Sequence, residues 1–377
     1  MRTTIWSLMA WLWLAPMWAV AAPVEITDLA GRSVSLPQPA QRFVISEGRY
    51  VLALSLLRPQ QPVAGLVGMM QPVSWTYPDL EQQLFTRFPE ARDIALFGHQ
   101  DRSSVSVEKL IDLKPEVAIF GLHDHGPGTE NAELLQQLES AGITPVFIDF
   151  RLDPLHNTVP SMRILGQVLG AEAQAEQYIA FYQQRQQAIA SGLKDLDSRP
   201  TVFLQAHAGR FDCCIGMADG MLGPFVEAAG GQNIADAVAP GPTSKHTLEF
   251  LLVENPDVWI GTASGTAADR AAGKSWVALG PGMTATTATA SLQAYLASPE
   301  FQALDAVRTG RAHAIWHDFY NSPLNIVALE AFAQWLHPER FPTLDPEQTQ
   351  RLIFETFTPF HWDGVATSTV PAASGAR

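Results

Sequence analysis

Cysteine is nearly absent. The chain has two, Cys213 and Cys214, and they are neighbours. No long-range disulfide can therefore staple the fold. Adjacent Cα atoms sit about 3.8 Å apart, below the usual disulfide span, so a bridge formed between these two in an oxidising compartment is local. A redox dithiol normally takes the Cys-x-x-Cys form, which does not occur here. Long uncharged runs are missing after residue 20: nothing later approaches the ~18 apolar residues that a membrane-crossing helix needs. Basic charge is scarce as well, with 24 Lys and Arg against 38 Asp and Glu and a formal charge of −14. Such a chain suits a basic partner better than nucleic acid or anionic lipid. Catalytic motifs are also wanting. Gly261-Thr262-Ala263-Ser264-Gly265 lacks nucleophile-elbow spacing, Ala268 stands where a phosphate loop needs its first Gly, and no zinc-protease motif occurs.

What is present points to export and to two lobes. Arg2, an apolar run from Ile5 to Val20 and the small-residue site Ala19-Val20-Ala21 read as a cleaved signal peptide over residues 1–21. No Cys follows that site to carry a lipid anchor, so the mature chain is expected to be untethered and soluble in a Gram-negative periplasm. The remaining length exceeds one ordinary domain, and hydrophobic residues make up 47% of the composition, enough for two cores.

Short β-branched runs alternate with helical patterns, the signature of parallel sheets with crossover helices. The expected strands are Arg42–Ser46, Pro62–Val67, Glu116–Phe120 and Pro145–Asp149, then Thr201–Gln205, Asp257–Gly261 and Arg311–Trp316. Between the two sets, Glu172 to Leu193 is free of proline and carries Tyr178, Ile179, Tyr182 and Ile189 as an apolar stripe at helical spacing. An internal repeat has an offset of 141 residues: Ser106-Val107-Glu108-Lys109-Leu110 leads to Lys114-Pro115-Glu116-Val117, and Thr247-Leu248-Glu249-Phe250-Leu251 leads to Asn255-Pro256-Asp257-Val258. Each copy reads as a capped helix, a Pro stop and a buried strand. The fold expected is α/β: two Rossmann-like lobes with parallel-rich sheets, joined by one long rigid helix. The boundaries are an N-terminal lobe at 22–155, a helical connector at 156–198, a C-terminal lobe at 199–362 and a disordered tail at 363–377, where small and polar residues show no period.

The opening Ile26 to Arg32, the strand Arg42-Phe43-Val44, the Glu-bearing repeat, Val202 to Gln205, Glu227 to Ile234 and Arg308 to Trp316 together resemble the periplasmic substrate-binding proteins of ABC importers for ferric siderophores, haem and cobalamin, of the class with a helical backbone. The resemblance covers nearly all of residues 24–340. It implies a cleft between two lobes, no catalytic residue and no cofactor beyond iron inside a bound chelate. It also implies docking of a permease dimer on a monomeric binding protein through Glu108 and Glu249.

Candidate ligand contacts fall in loops after strands: Arg49, Tyr50, Trp75, Tyr77, His99, Arg102, His123 and His125 in the first half, and His207, Arg210, Phe211, Cys213, Cys214, Trp316, Phe319 and Tyr320 in the second. Aromatic walls with a few cations are the physically sensible lining for a bulky anionic chelate. His123-x-His125 resembles half a metal site, but no matching ligand set accompanies it, so no resident metal is assigned. The function expected is capture and delivery of a ferric siderophore-type chelate. Cobalamin or haem are the alternatives in the same class, and a thiol-redox or metal-dependent periplasmic enzyme is the alternative outside it.

Overall fold

The computed structural model describes residues 23–99, 102–123, 125–211, 213–237 and 241–372. The predicted signal peptide and the last five residues lie outside the described residues. An opening hairpin pairs Val24–Thr27 with Ser33–Leu36. Its turn is closed by Asp28, whose Oδ1 accepts from the backbone N–H of Ala30 and Arg32, while Oδ2 accepts from Phe147. One buried carboxylate thus ties the hairpin to the first sheet.

That sheet has five strands, all parallel, in the order Ala95–Leu96, Leu66–Met69, Phe43–Ile45, Val117–Gly121, Thr144–Ile148. Val117–Gly121 is buried along its whole length, as a parallel strand covered on both faces should be. The second strand begins four residues later than expected because Pro62 to Gly65 form a turn ending in Gly65 at φ 81, a conformation open to glycine. The second sheet runs Thr243–Lys245, Ile215–Met217, Thr201–Gln205, Val258–Ala263, Ala312–Trp316, Thr367–Thr369, with Gln232–Asn233 also pairing beside Thr201. Its centre is parallel and its flanks antiparallel.

The expected long helix is present as Glu172–Gly192. Tyr178, Ile179, Tyr182 and Ile189 are all buried, and two of them are also anchored by hydrogen bonds: the Tyr178 hydroxyl donates to Pro323 O at 2.6 Å and that of Tyr182 to Asn325 Oδ1 at 2.7 Å. The helix before it, Pro154–Leu169, approaches so closely that a Cβ on Gly166 would lie 2.6 Å from that of Ala175. This pair and the wholly buried helix Tyr50–Leu57 form a shared spine.

The repeat also holds. Ser106 accepts from Lys109 N and Thr247 from Phe250 N, capping helices Val107–Asp112 and Leu248–Glu254. Each helix leads into a central strand of its own sheet. The expectation of a disordered tail at 363–377 is corrected for its described part, residues 363–372: Gly364–Val365 pairs with Gly280–Pro281, and Thr367–Thr369 adds an antiparallel strand to Ala312–Trp316. Ala366, Ser368 and Val370 are buried in alternation, so small side chains at period two suffice when the ladder supplies the hydrogen bonds.

Candidate functional site

Functional side chains in an open α/β sheet collect beyond the carboxyl ends of the strands. Glu47 follows Phe43–Ile45, Trp75 follows Leu66–Met69 and His125 follows Val117–Gly121. In the other lobe His207 follows Thr201–Gln205, Ser264 follows Val258–Ala263, and Asp318 follows Ala312–Trp316.

Glu47 organises the first lobe's share. Its carboxylate is fully buried; Oε1 accepts from the backbone N–H of His125 and meets its ring Nδ1, both at 2.9 Å, while Oε2 lies 2.6 Å from Arg49 Nε. Burial alone would raise its pKa, but the Arg49 charge and the His125 hydrogen bonds outweigh that and hold it down at about 2. Arg49 lies 5.9 Å from the Trp75 ring and 5.4 Å from that of Tyr320, and its Nη1 is 4.0 Å from Asp318 Oδ1. Tyr77 donates to Asp318 O at 3.3 Å, and Asn321 Nδ2 reaches Glu47 Oε2 at 3.4 Å. These contacts join the two lobes at the floor of the cleft.

Asp318 is shifted the other way, up to about 6, because burial outweighs the nearby Arg49 and Arg210. The native state therefore holds this proton more tightly than the unfolded chain between about pH 4 and 6, and the carboxylate's contribution makes the fold less stable as pH rises through that window. Asp318→Asn should remove this limb from a denaturant-derived stability–pH curve; an unchanged limb would show that another group produces it.

In the second lobe His207 adopts φ 49, and its ring lies 3.7 Å from that of His317, tilted by 34°. Thr262 Oγ1 accepts from His207 N at 2.9 Å and lies 2.8 Å from His317 Nδ1, so one hydroxyl links the two histidines. His207 Nδ1 is 2.9 Å from Ser264 Oγ. Burial first, then the Arg210 charge, lower the His207 pKa to about 4, so the ring is neutral at physiological pH. Phe211 is 49% exposed and meets His207 edge-on; Trp75 is 38% exposed and meets His125 edge-on. Each lobe therefore presents an exposed aromatic braced by an imidazole that is itself anchored through Nδ1.

The structure brings Arg49, Trp75, Tyr77, His125, His207, Arg210, Phe211 and Tyr320 into this connected group. Arg151 joins it, 6.0 Å from the Tyr320 ring and donating to His123 O. Other predicted contacts lie elsewhere. Tyr50 and Phe319 are interior, packed on Phe150 and Trp316. Trp316, with Tyr77, walls a side cavity. His99 is exposed in its loop, and the side chain of Arg102 lies outside the described residues. Cys213 and Cys214 are bonded across a cis peptide, and Cys214 is fully buried, exchanging backbone hydrogen bonds with His246. Among the described residues no three or more His, Cys, Asp or Glu form a metal cluster, and no helix is long and apolar enough to cross a membrane. Sequence reasoning did not single out Thr262, Ser264, Asp318 or Asn321; their position just past strand ends was the available signal.

A family model described as periplasmic binding protein matches residues 79–315. The chain belongs to that family. Its members are solute-binding proteins of ABC importers. Among solved structures, a TroA-like periplasmic binding protein, FepB, from Veillonella parvula superposes with a TM-score of 0.80 at 23% identity, covering 93% of this chain and 100% of that one. The molybdate periplasmic binding protein MolA of Haemophilus influenzae gives 0.64 at 18%, covering 90% and 99%. A periplasmic haem-binding protein from Pseudomonas aeruginosa gives 0.54 at 20%, covering 88% and 100%. At these identities the likeness is one of fold. No curated protein sequence matches the chain.

Proposed function

We propose that this periplasmic binding protein captures a bulky, anionic ferric chelate of the siderophore type in the cleft between its lobes and delivers it to an inner-membrane ABC importer. One observation carries the reading. An unbroken series of ring and guanidinium contacts runs from Phe211 through His207, His317, Tyr320 and Arg49 to Trp75 and His125, with successive separations of 5.3, 3.7, 4.6, 5.4, 5.9 and 5.1 Å. Arg151 and Arg210 flank it, and Lys274 lies beyond Trp276, so these cations, with Arg49, gather beside the carboxylates of Glu47 and Asp318 in an otherwise acidic protein. Flat aromatic faces beside cations suit an anionic chelate with planar donor groups. Saturable binding of a ferric chelate, read by tryptophan fluorescence, tests it. Haem is the second reading, favoured by the neutral, Nδ1-anchored imidazole of His207, a form ready to meet iron.

Delivery is assigned to Glu108 and Glu249. Both are exposed in the first turn of their capped helices, and Val253, on the Glu249 helix, is 81% exposed, supplying apolar area beside the charge. Exposed pairs of this kind set register and encounter rate. Glu108→Ala with Glu249→Ala should abolish chelate uptake in cells while leaving affinity in solution within about twofold. Uptake that persists in the double variant would sink the docking assignment.

A further inference from the structure

A cavity of about 220 Å³ lies to one side of the cleft, between helix Pro78–Arg87 and the chain segment that follows helix Pro346–Phe357. We propose that it binds a small organic cation of the quaternary-ammonium kind. The inference does not rest on the chelate reading, since a space below the roughly 300–1,000 Å³ of drug-sized pockets is too small for a bulky chelate.

Tyr77, Trp316, Phe354 and Trp362 are among its lining residues, together with His361. Tyr77 and Trp316 meet at 5.4 Å and 48°, Trp316 and Trp362 at 5.0 Å and 57°, Phe354 and Trp362 at 5.5 Å and 48°. The rings thus run as a tilted chain rather than a flat stack, and aromatic rings lining a small cavity attract an alkylated cation whose charge is spread over its methyl groups. The Trp362 Nε1–H is taken by Gly364 O at 3.1 Å, which fixes that ring.

Charge selects among small occupants. Asp79 and Asp363, one from each lobe, both line the cavity and are exposed, and no Lys or Arg is among its lining residues. A Cβ placed on Gly282, which takes φ 74, would lie 3.5 Å from Asp79 Oδ2, so the first lobe's carboxylate reaches the second lobe's wall. An anion would meet two carboxylates with no Lys or Arg to offset them, and a neutral solute could use them only as hydrogen-bond acceptors, without the attraction between opposite charges. The cavity also has a fixed frame. Gln83 and His361 exchange hydrogen bonds at 3.0 and 2.8 Å, and Arg87 donates to Pro359 O at 2.6 Å.

Isothermal titration of the mature protein with choline and tetramethylammonium, with the uncharged carbon isostere of choline as control, tests the site. One-to-one saturable binding of both cations is expected, with the isostere at least roughly tenfold weaker. Asp79→Asn with Asp363→Asn, an exposed pair whose replacement leaves the rings in place, should weaken choline roughly tenfold. Trp362→Leu should abolish binding. Because that variant risks misfolding, the Asn pair decides. Absence of saturable binding by either cation, an isostere that binds as tightly as choline, or an Asn pair that binds choline unchanged would overturn the proposal.

Discussion

Replacing Trp75 and Phe211 together by Ala is expected to weaken ferric-chelate binding by roughly a hundredfold, because each removes a large face that stacks on the ligand. The melting temperature should barely move. Both side chains are substantially exposed, and the imidazoles that brace them, His125 and His207, are separately held by Glu47 and Ser264. The single variants should each lose roughly tenfold if the two faces contact the ligand independently. Affinity within a few-fold of wild type in the double variant would place the ligand elsewhere on the molecule.

Glu47→Ala should produce the largest loss of stability, about 3–5 kcal/mol, because it leaves the guanidinium of Arg49 buried without its partner. The substitution also removes the acceptor for His125 and for Asn321, so both sides of the lobe junction loosen. Removing both charges, as Glu47→Leu with Arg49→Met, should recover much of that loss, since desolvation of two ions is then avoided. The same carboxylate predicts acid sensitivity. Its folded pKa is depressed, so its contribution is complete above the unfolded value near 4.5 and is lost as pH falls toward about 2. Urea titration of the three proteins over that range measures both effects. A Glu47→Ala variant as stable as wild type would show that Arg49 finds another partner.

The fold was legible where the pattern was long or repeated. Two Ser/Thr-capped helices with matching Pro stops, and an uninterrupted stripe from Tyr178 to Ile189, announce two lobes and a spine. The strand Thr367–Thr369 was illegible because Ala366, Ser368 and Val370 are too small and polar to declare a buried face; pairing with Ala312–Trp316 supplies what the side chains do not. At the site, residue type and loop position pointed to Trp75, His125, His207, Arg210 and Phe211. Glu47 and Arg49 stand two residues apart, but nothing in the sequence showed that both are buried as a pair, nor that Trp316 and Phe319 lie in the interior, because burial depends on how distant segments pack over these loops. Thr262 is the same case: its hydroxyl becomes the junction between His207 and His317 only when two neighbouring strands end level.

The central claim is most directly tested by titrating the mature protein with ferric siderophores, haem and cobalamin while following tryptophan fluorescence, since Trp75 stands in the cleft. The account predicts saturable quenching by a ferric chelate at micromolar concentration or below, with no response to the same chelator without iron. Absence of a response to every ligand, together with thiol-exchange activity from Cys213 and Cys214 or a tightly held metal ion, would contradict it.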